Sequence, residues 1–187
     1  MTELPAIVGL LLAGGGARRM GGGDKCLLEI GGQSLLRRIA DNAATQVGPL
    51  VLNTNSDPSL FDGYDLPVAT DVVEGFAGPL AGVLTGLEWA AAHAPECDWV
   101  ASFACDAPFA PRDLVARLVE AIARDGAVMA CATSGGRDHP VFALWPTRLA
   151  DELRVAVVDE GVRKVDIWTA RYKLARVDFD NSDSISG

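Results

Sequence analysis

Short apolar runs separated by helical patterns predict an α/β fold, in which helices cover both faces of a doubly wound, mostly parallel sheet. Three observations lead there. The runs are continuously apolar instead of alternating, which marks strands buried on both faces. Segments between them repeat their apolar residues at helical spacing. Polar residues suited to chemistry fall just after the runs, at the strand ends where such sheets collect ligands.

Ile7 to Leu12 is the first strand, bounded by glycine. Leu35, Leu36, Ile39, Ala43 and Val47 then share one helical face. Leu50 to Asn53 and Pro67 to Thr70 read as the next strands, and Leu80, Val83, Leu84, Leu87 and Ala91 as the second helix. Trp99 to Ala104 is a strand whose chain runs on to Asp106. Leu114, Val115, Leu118, Val119 and Ile122 mark a third helix, with Pro111 near its start, where a proline's fixed φ is tolerated. Ala127 to Ala132 and Lys173 to Phe179 complete the set. With 187 residues, the chain is expected to form one domain over residues 1–187, with only its last few residues disordered.

Composition narrows the function. A net charge of −9 leaves no basic stripe for a nucleic-acid backbone, so nucleic acid is excluded as a partner. No apolar stretch approaches the roughly 18 residues of a membrane span, and Met1-Thr2-Glu3 lacks the basic start of a signal peptide. A cytoplasmic protein is expected, and a monomer. Cys26, Cys97, Cys105 and Cys131 contain no C-x-x-C pair, which argues for buried thiols over a zinc site or disulfides. His93 reads as a residue suited to a helix C-terminus, and the four tryptophans are too dispersed for a stacking platform.

The stretch from Leu11 to Lys25 places six glycines, Arg18, Arg19 and Lys25 directly behind the first strand. Glycines let backbone N–H groups approach a ligand that a Cβ would hold away, and the cations match phosphate oxygens. The spacing is not that of a P-loop, because Asp24 precedes the lysine and Cys26 follows it. Phosphate binding is therefore expected from a local loop acting on a small anion. Asp106 is placed to hold Mg²⁺, which prefers one or two carboxylates plus substrate phosphates; capping the turn at Ala107-Pro108 is the alternative. Asp71 is either a ligand contact or the start of a solvated loop, and Asn53 and Asn55 are either donors to base or ribose or turn formers. Arg137 and His139, before an apolar run, and Arg163 with Lys164, after Gly161, could bind a second anionic group. A solvated face for the arginine-lysine pair and a structural role for His139 remain open beside that.

The loop resembles the signature L-A-G-G-x-x-x-R-M-G-x-x-K of molybdenum cofactor guanylyltransferases, here on Leu12 to Lys25 with one extra glycine. Asn53-Thr54-Asn55, Asp71, Gly78-Pro79-Leu80-Ala81-Gly82, Cys105-Asp106-Ala107-Pro108, Arg137-Asp138-His139-Pro140 and Gly161-Val162-Arg163-Lys164-Val165 follow in that family's order, up to about Phe179. The resemblance implies a Rossmann-like nucleotidyltransferase fold and transfer of GMP from GTP to the terminal phosphate of molybdopterin, with release of pyrophosphate. Carried over residue by residue, Arg19, Lys25 and Asp106 would serve catalysis, with Mg²⁺ on Asp106. Leu12, Ala13, Gly14, Lys25, Asn53, Asp71 and Asp106 would bind GTP in the N-terminal half. Arg137, His139, Arg163 and Asn181 would bind the pterin acceptor in the C-terminal half. Further partners would be molybdoenzymes or other proteins of cofactor biosynthesis. Gly14 stands where related cytidylyltransferases carry alanine, which points to guanine. A cytidylyltransferase for the same acceptor is the nearest rival, and a non-catalytic carrier of the cofactor is the reading from another class.

The chain departs from the family at Cys26, usually glycine, at Ser56, often basic, and at its end. The pattern F-x-N-x-N-T-P-E appears as Phe179-Asp180-Asn181-Ser182-Asp183-Ser184, without the closing helix. A carboxylate at Asp183 in place of a neutral asparagine is expected to repel anionic phosphates and to handicap transfer.

Overall fold

A computed structural model describes residues 5–13, 24–75, 78–107 and 109–180. In chain order the elements are β1 Ile7–Leu12, β2 Glu29–Ile30, β3 Gln33–Ser34, α1 Leu35–Ala44, β4 Leu50–Asn53, β5 Val68–Ala69, α2 Pro79–His93 and β6 Trp99–Ala104. There follow α3 Leu114–Asp125, β7 Met129–Ser134, β8 Arg137–Pro146, α4 Ala150–Val158, α5 Val165–Thr169 and β9 Leu174–Asp178, with short 3₁₀ turns at Lys25–Leu27, Pro58–Tyr64 and Thr147–Leu149.

Seven strands form one sheet in the order β5-β4-β1-β6-β8-β7-β9. The expected parallel character holds for β5, β4, β1 and β6, and for β7 beside β9. β8 alone runs the other way, paired antiparallel to both β6 and β7. Its first residues therefore lie at the same edge as the C-terminal ends of the other strands. That edge carries every described candidate residue that precedes β9, apart from Arg163, which joins it from the α4–α5 connection.

Alternate side chains of each strand feed two cores, as a period of two requires. Val8 and Leu10 face one, with Leu80, Leu84 and Leu87 of α2, Leu153 of α4 and Trp168 of α5. Ile7 and Leu11 face the other, with Leu36 and Ile39 of α1 and Val115 and Leu118 of α3. Ser34 begins α1 by accepting the Arg37 N–H on its hydroxyl at 3.1 Å. α2 begins with Pro79 after Gly78, whose φ of 141° only glycine adopts readily. α3 starts at Leu114, three residues beyond Pro111. The four cysteines are buried free thiols, and no described helix is long and apolar enough to cross a membrane.

The β8 strand is the element the apolar pattern does not announce. Its opening residues, Arg137-Asp138-His139-Pro140, are polar and contain a proline, which sheet interiors tolerate only at irregularities. The ladder supplies one: Cys131 faces Ala143 while its neighbour Ala132 faces His139, so the intervening residues of β8, Pro140 among them, bulge out of register.

Candidate active site

β1 ends between β4 and β6, and the ladder continues past the strands proper. Ala13 N–H donates to Asn53 O at 3.0 Å, and Cys105 N–H donates to Leu12 O at 3.1 Å. Two of the main-chain groups at Leu12 and Ala13 are thus already bonded within the sheet. Arg19 and Gly14 lie outside the described residues, as do Asn181 and Asp183.

Asn53 is buried, 3% exposed, at the end of β4. Its Nδ2 donates to Ala69 O at 3.2 Å and to Asp71 Oδ1 at 2.9 Å, which uses both amide hydrogens. Asn55 Nδ2 donates to the other carboxylate oxygen, Oδ2, at 2.7 Å, while its Oδ1 accepts the Asp71 N–H at 2.9 Å. Between them, Thr54 Oγ1 accepts the Ser56 N–H at 3.1 Å and shapes the turn. The asparagines thus form a frame for Asp71, and Asn53 is committed to it. Gly82 makes the frame possible: a Cβ there would stand 2.5 Å from Asn53 Oδ1 and 2.6 Å from Leu12 Cδ2. Only a bare backbone lets α2 sit this close to the ends of β1 and β4.

Asp106 follows β6 and is exposed. The turn behind it is closed by Ala107 N–H on Ala104 O at 3.3 Å, and among the described residues no hydrogen bond from the aspartate side chain adds to it. Lys25, also exposed, opens a 3₁₀ turn whose next residue, Cys26, is buried. Burial pushes the Cys26 thiol from 9.0 to about 12, with the Asp24 carboxylate adding to the rise. Burial likewise drives the Cys105 thiol well up, helped by Cys26, Asp106 and Asp24. Cys26 and Cys105 pack in the same core, which sets the turn beginning at Lys25 near the Asp106 end of β6. Among the described residues no three or more His, Cys, Asp or Glu side chains cluster as a metal cage.

The second-half candidates are dispersed. Arg137 and Asp138 are exposed at the start of β8, where Asp138 pairs with Arg176 Nε at 3.0 Å. His139 Nε2 and Ser134 Oγ lie 2.6 Å apart across the β7–β8 hairpin, so this histidine has a structural partner. Both Asp180 oxygens accept the Gly135 N–H at the hairpin tip, 2.7 and 2.6 Å away, which ties the tail to this corner. Arg163 lies not on a helix but in the extended segment before α5, and its Nη1 donates to Val157 O at 3.4 Å. Its carbonyl stands where a Cβ on Gly78 would come within 3.6 Å, so this segment borders the N-terminus of α2. His93 ends α2 and stacks on Trp89 with ring centroids 4.8 Å apart.

Sequence patterns missed how the frame is assembled. Hydrogen bonds between residues sixteen positions apart leave no local spacing to read.

Comparison with known proteins bears on what this edge does. The model of the MobA-like NTP transferase domain matches residues 9–173. A molybdenum cofactor guanylyltransferase of Rhodopseudomonas palustris (strain BisB5) is 53% identical over 96% of this chain and 85% of its own. Another, from Bradyrhizobium sp. (strain ORS 278), is 55% identical over 92% of this chain and 81% of its own. Among solved structures, the molybdopterin-guanine dinucleotide biosynthesis protein A of Archaeoglobus fulgidus superposes with a TM-score of 0.71 at 20% identity, over 91% of this chain and 83% of that one, which shows a shared fold. With the domain model matched over most of its length and two relatives that are more than half identical to it, this chain belongs to the molybdenum cofactor guanylyltransferase family of MobA-like nucleotidyltransferases.

Proposed function

We propose that this chain transfers GMP from GTP to the terminal phosphate of molybdopterin, forming a guanine dinucleotide cofactor and releasing pyrophosphate. The observation that carries this reading is the convergence of Lys25, the framed Asp71 and the exposed Asp106 on one edge of the sheet. Such a transfer needs no protein nucleophile. The second pKa of a phosphate monoester is about 6, so the attacking oxygen is ionised at neutral pH and no general base is required. What the chain must supply is position and charge.

Lys25 neutralises the triphosphate, a role shared with Arg19 of the glycine loop. Asp71, held at both oxygens, presents its remaining lone pairs to donors of the nucleoside, and Asn53 acts through it. The main chain at Leu12 and Ala13, continuing into Gly14, borders the base. Asp106 suits Mg²⁺: an exposed carboxylate with no hydrogen bond or ion pair to a described side chain matches an ion that takes few protein ligands and completes its shell with phosphates and water. When bound, the ion would neutralise charge developing on the reacting phosphates. Arg137, His139, Arg163 and Asn181 are assigned to the acceptor. The nucleotide half and the acceptor half are read as one domain working as a monomer in the cytoplasm.

GTP labelled at its α-phosphate, incubated with molybdopterin and Mg²⁺, tests the reading. Label entering a pterin dinucleotide supports it. Label remaining in GTP, with the acceptor intact and the nucleotide demonstrably bound, favours a cofactor carrier instead.

A further inference from the structure

Asp71 is framed from the sheet side by Asn53 and Asn55, but the chain leaving it needs its own anchor. Val72, the next residue, is 40% exposed and begins an irregular stretch leading toward α2. Its N–H donates to Thr85 Oγ1 at 3.1 Å. Thr85 lies on α2 and is 2% exposed, and its hydroxyl donates in turn to Ala81 O at 2.8 Å. That second bond fixes the rotamer: the proton is committed to the helix, so the hydroxyl oxygen can only accept toward Val72. A threonine that bonds back to the carbonyl four residues earlier is a familiar helix habit, but here the same oxygen reaches outside the helix.

We propose that Thr85 is a positioning residue for nucleotide binding, which sets where Asp71 is presented by clamping the next peptide to α2. The proposal rests on the reading that Asp71 contacts the nucleotide. The clamp ties α2, pressed onto the ends of β1 and β4 at Gly82, to the loop carrying Asp71. With Asn55 holding the Asp71 N–H and Thr85 the Val72 N–H, two consecutive peptides are fixed from opposite sides. A carboxylate so held is preorganised, and little ordering remains to be done when ligand binds.

The test measures KM for GTP and kcat in the full chain for Thr85→Val, Thr85→Ser, Asp71→Ala and the double variant Thr85→Val/Asp71→Ala, with GTP titrated calorimetrically against each. Thr85→Val keeps the shape and removes the acceptor; Val72 N–H, being near the surface, can turn to water, so the fold should survive. The expected result is a rise of roughly fivefold in KM for GTP with kcat nearly unchanged, the size of one ordinary hydrogen bond. Thr85→Ser should restore the wild-type KM, and the double variant should bind GTP no worse than Asp71→Ala alone. A purely structural threonine would instead lower the melting temperature and add its effect to that of Asp71→Ala, which overturns the proposal. If Asp71→Ala itself leaves GTP binding unchanged, the underlying reading of Asp71 fails. If Asp71→Ala weakens binding and Thr85→Val does not, the clamp alone is wrong.

Discussion

Asn55 and Asp71 hold each other by two hydrogen bonds running in opposite directions, side-chain amide to carboxylate at 2.7 Å and backbone N–H to amide oxygen at 2.9 Å. Such a reciprocal pair fixes both where the carboxylate stands and how it is turned. Asn55→Ala removes both partners at once. It is expected to raise the Kd for GTP about tenfold, since two bonds each worth about 1 kcal/mol are lost and the exposed position lets water replace part of them. Calorimetric titration checks this, and an unchanged Kd would mean that Asp71 needs no such frame.

Gly82→Ala and Gly86→Ala should separate site geometry from packing. A Cβ at Gly82 would meet Asn53 Oδ1 at 2.5 Å, whereas the nearest atoms to one at Gly86 belong to the Leu10 side chain, also at 2.5 Å. Both crowd a close helix–sheet contact and should cost about 1–3 kcal/mol of stability. Only Gly82→Ala should also weaken GTP binding, because it displaces the amide that holds Asp71. Melting curves with and without GTP distinguish the two: the GTP-induced shift should survive in Gly86→Ala and shrink in Gly82→Ala.

The strands around the site were legible because burial on both faces writes itself as continuous apolar sequence. Ile7–Leu12, Leu50–Asn53 and Trp99–Ala104 fall where the runs predict. β7 runs from Met129 to Ser134, two residues later than its apolar run, because the hairpin with β8 carries polar Thr133 and Ser134 into the sheet. β8 itself is hidden by its polar opening and Pro140. In the site, the positions of Asp71 and Asp106 after strands could be read, but the partners of Asp71 could not. Thr85 sits inside an apolar helical pattern and gives no sign that its hydroxyl leaves the helix.

Lys25→Ala and Asp106→Asn should fail differently. Removing the lysine takes away ground-state charge and should raise KM for GTP. Asp106→Asn should leave GTP binding largely intact while lowering kcat on the order of a hundredfold, as expected when the hold on a metal facing the reacting phosphates is lost. Steady-state kinetics across a Mg²⁺ series checks both. Full activity of Asp106→Asn at limiting Mg²⁺ would contradict the metal role.

The buried thiols predict a one-sided response to alkali. Cys26 is raised from 9.0 to about 12, so the folded state keeps its proton where the unfolded chain has released it. The thiol's contribution to stability is complete below pH 9.0 and falls away as pH rises toward about 12. Cys26→Ala should flatten the loss of stability over that window and leave its slope near neutrality unchanged. Denaturant unfolding from pH 7 to 11 measures it; identical slopes above pH 9 in both proteins would show that Cys26 does not contribute.

Pyrophosphate release, measured with GTP, CTP and ATP in turn, each with and without molybdopterin, decides whether this chain is a guanylyltransferase. Release is expected from GTP alone, dependent on the acceptor and on a divalent ion. Equal or faster release from CTP would make the chain a cytidylyltransferase, and no acceptor-dependent release from any of the three would contradict a nucleotidyl transfer at this edge of the sheet.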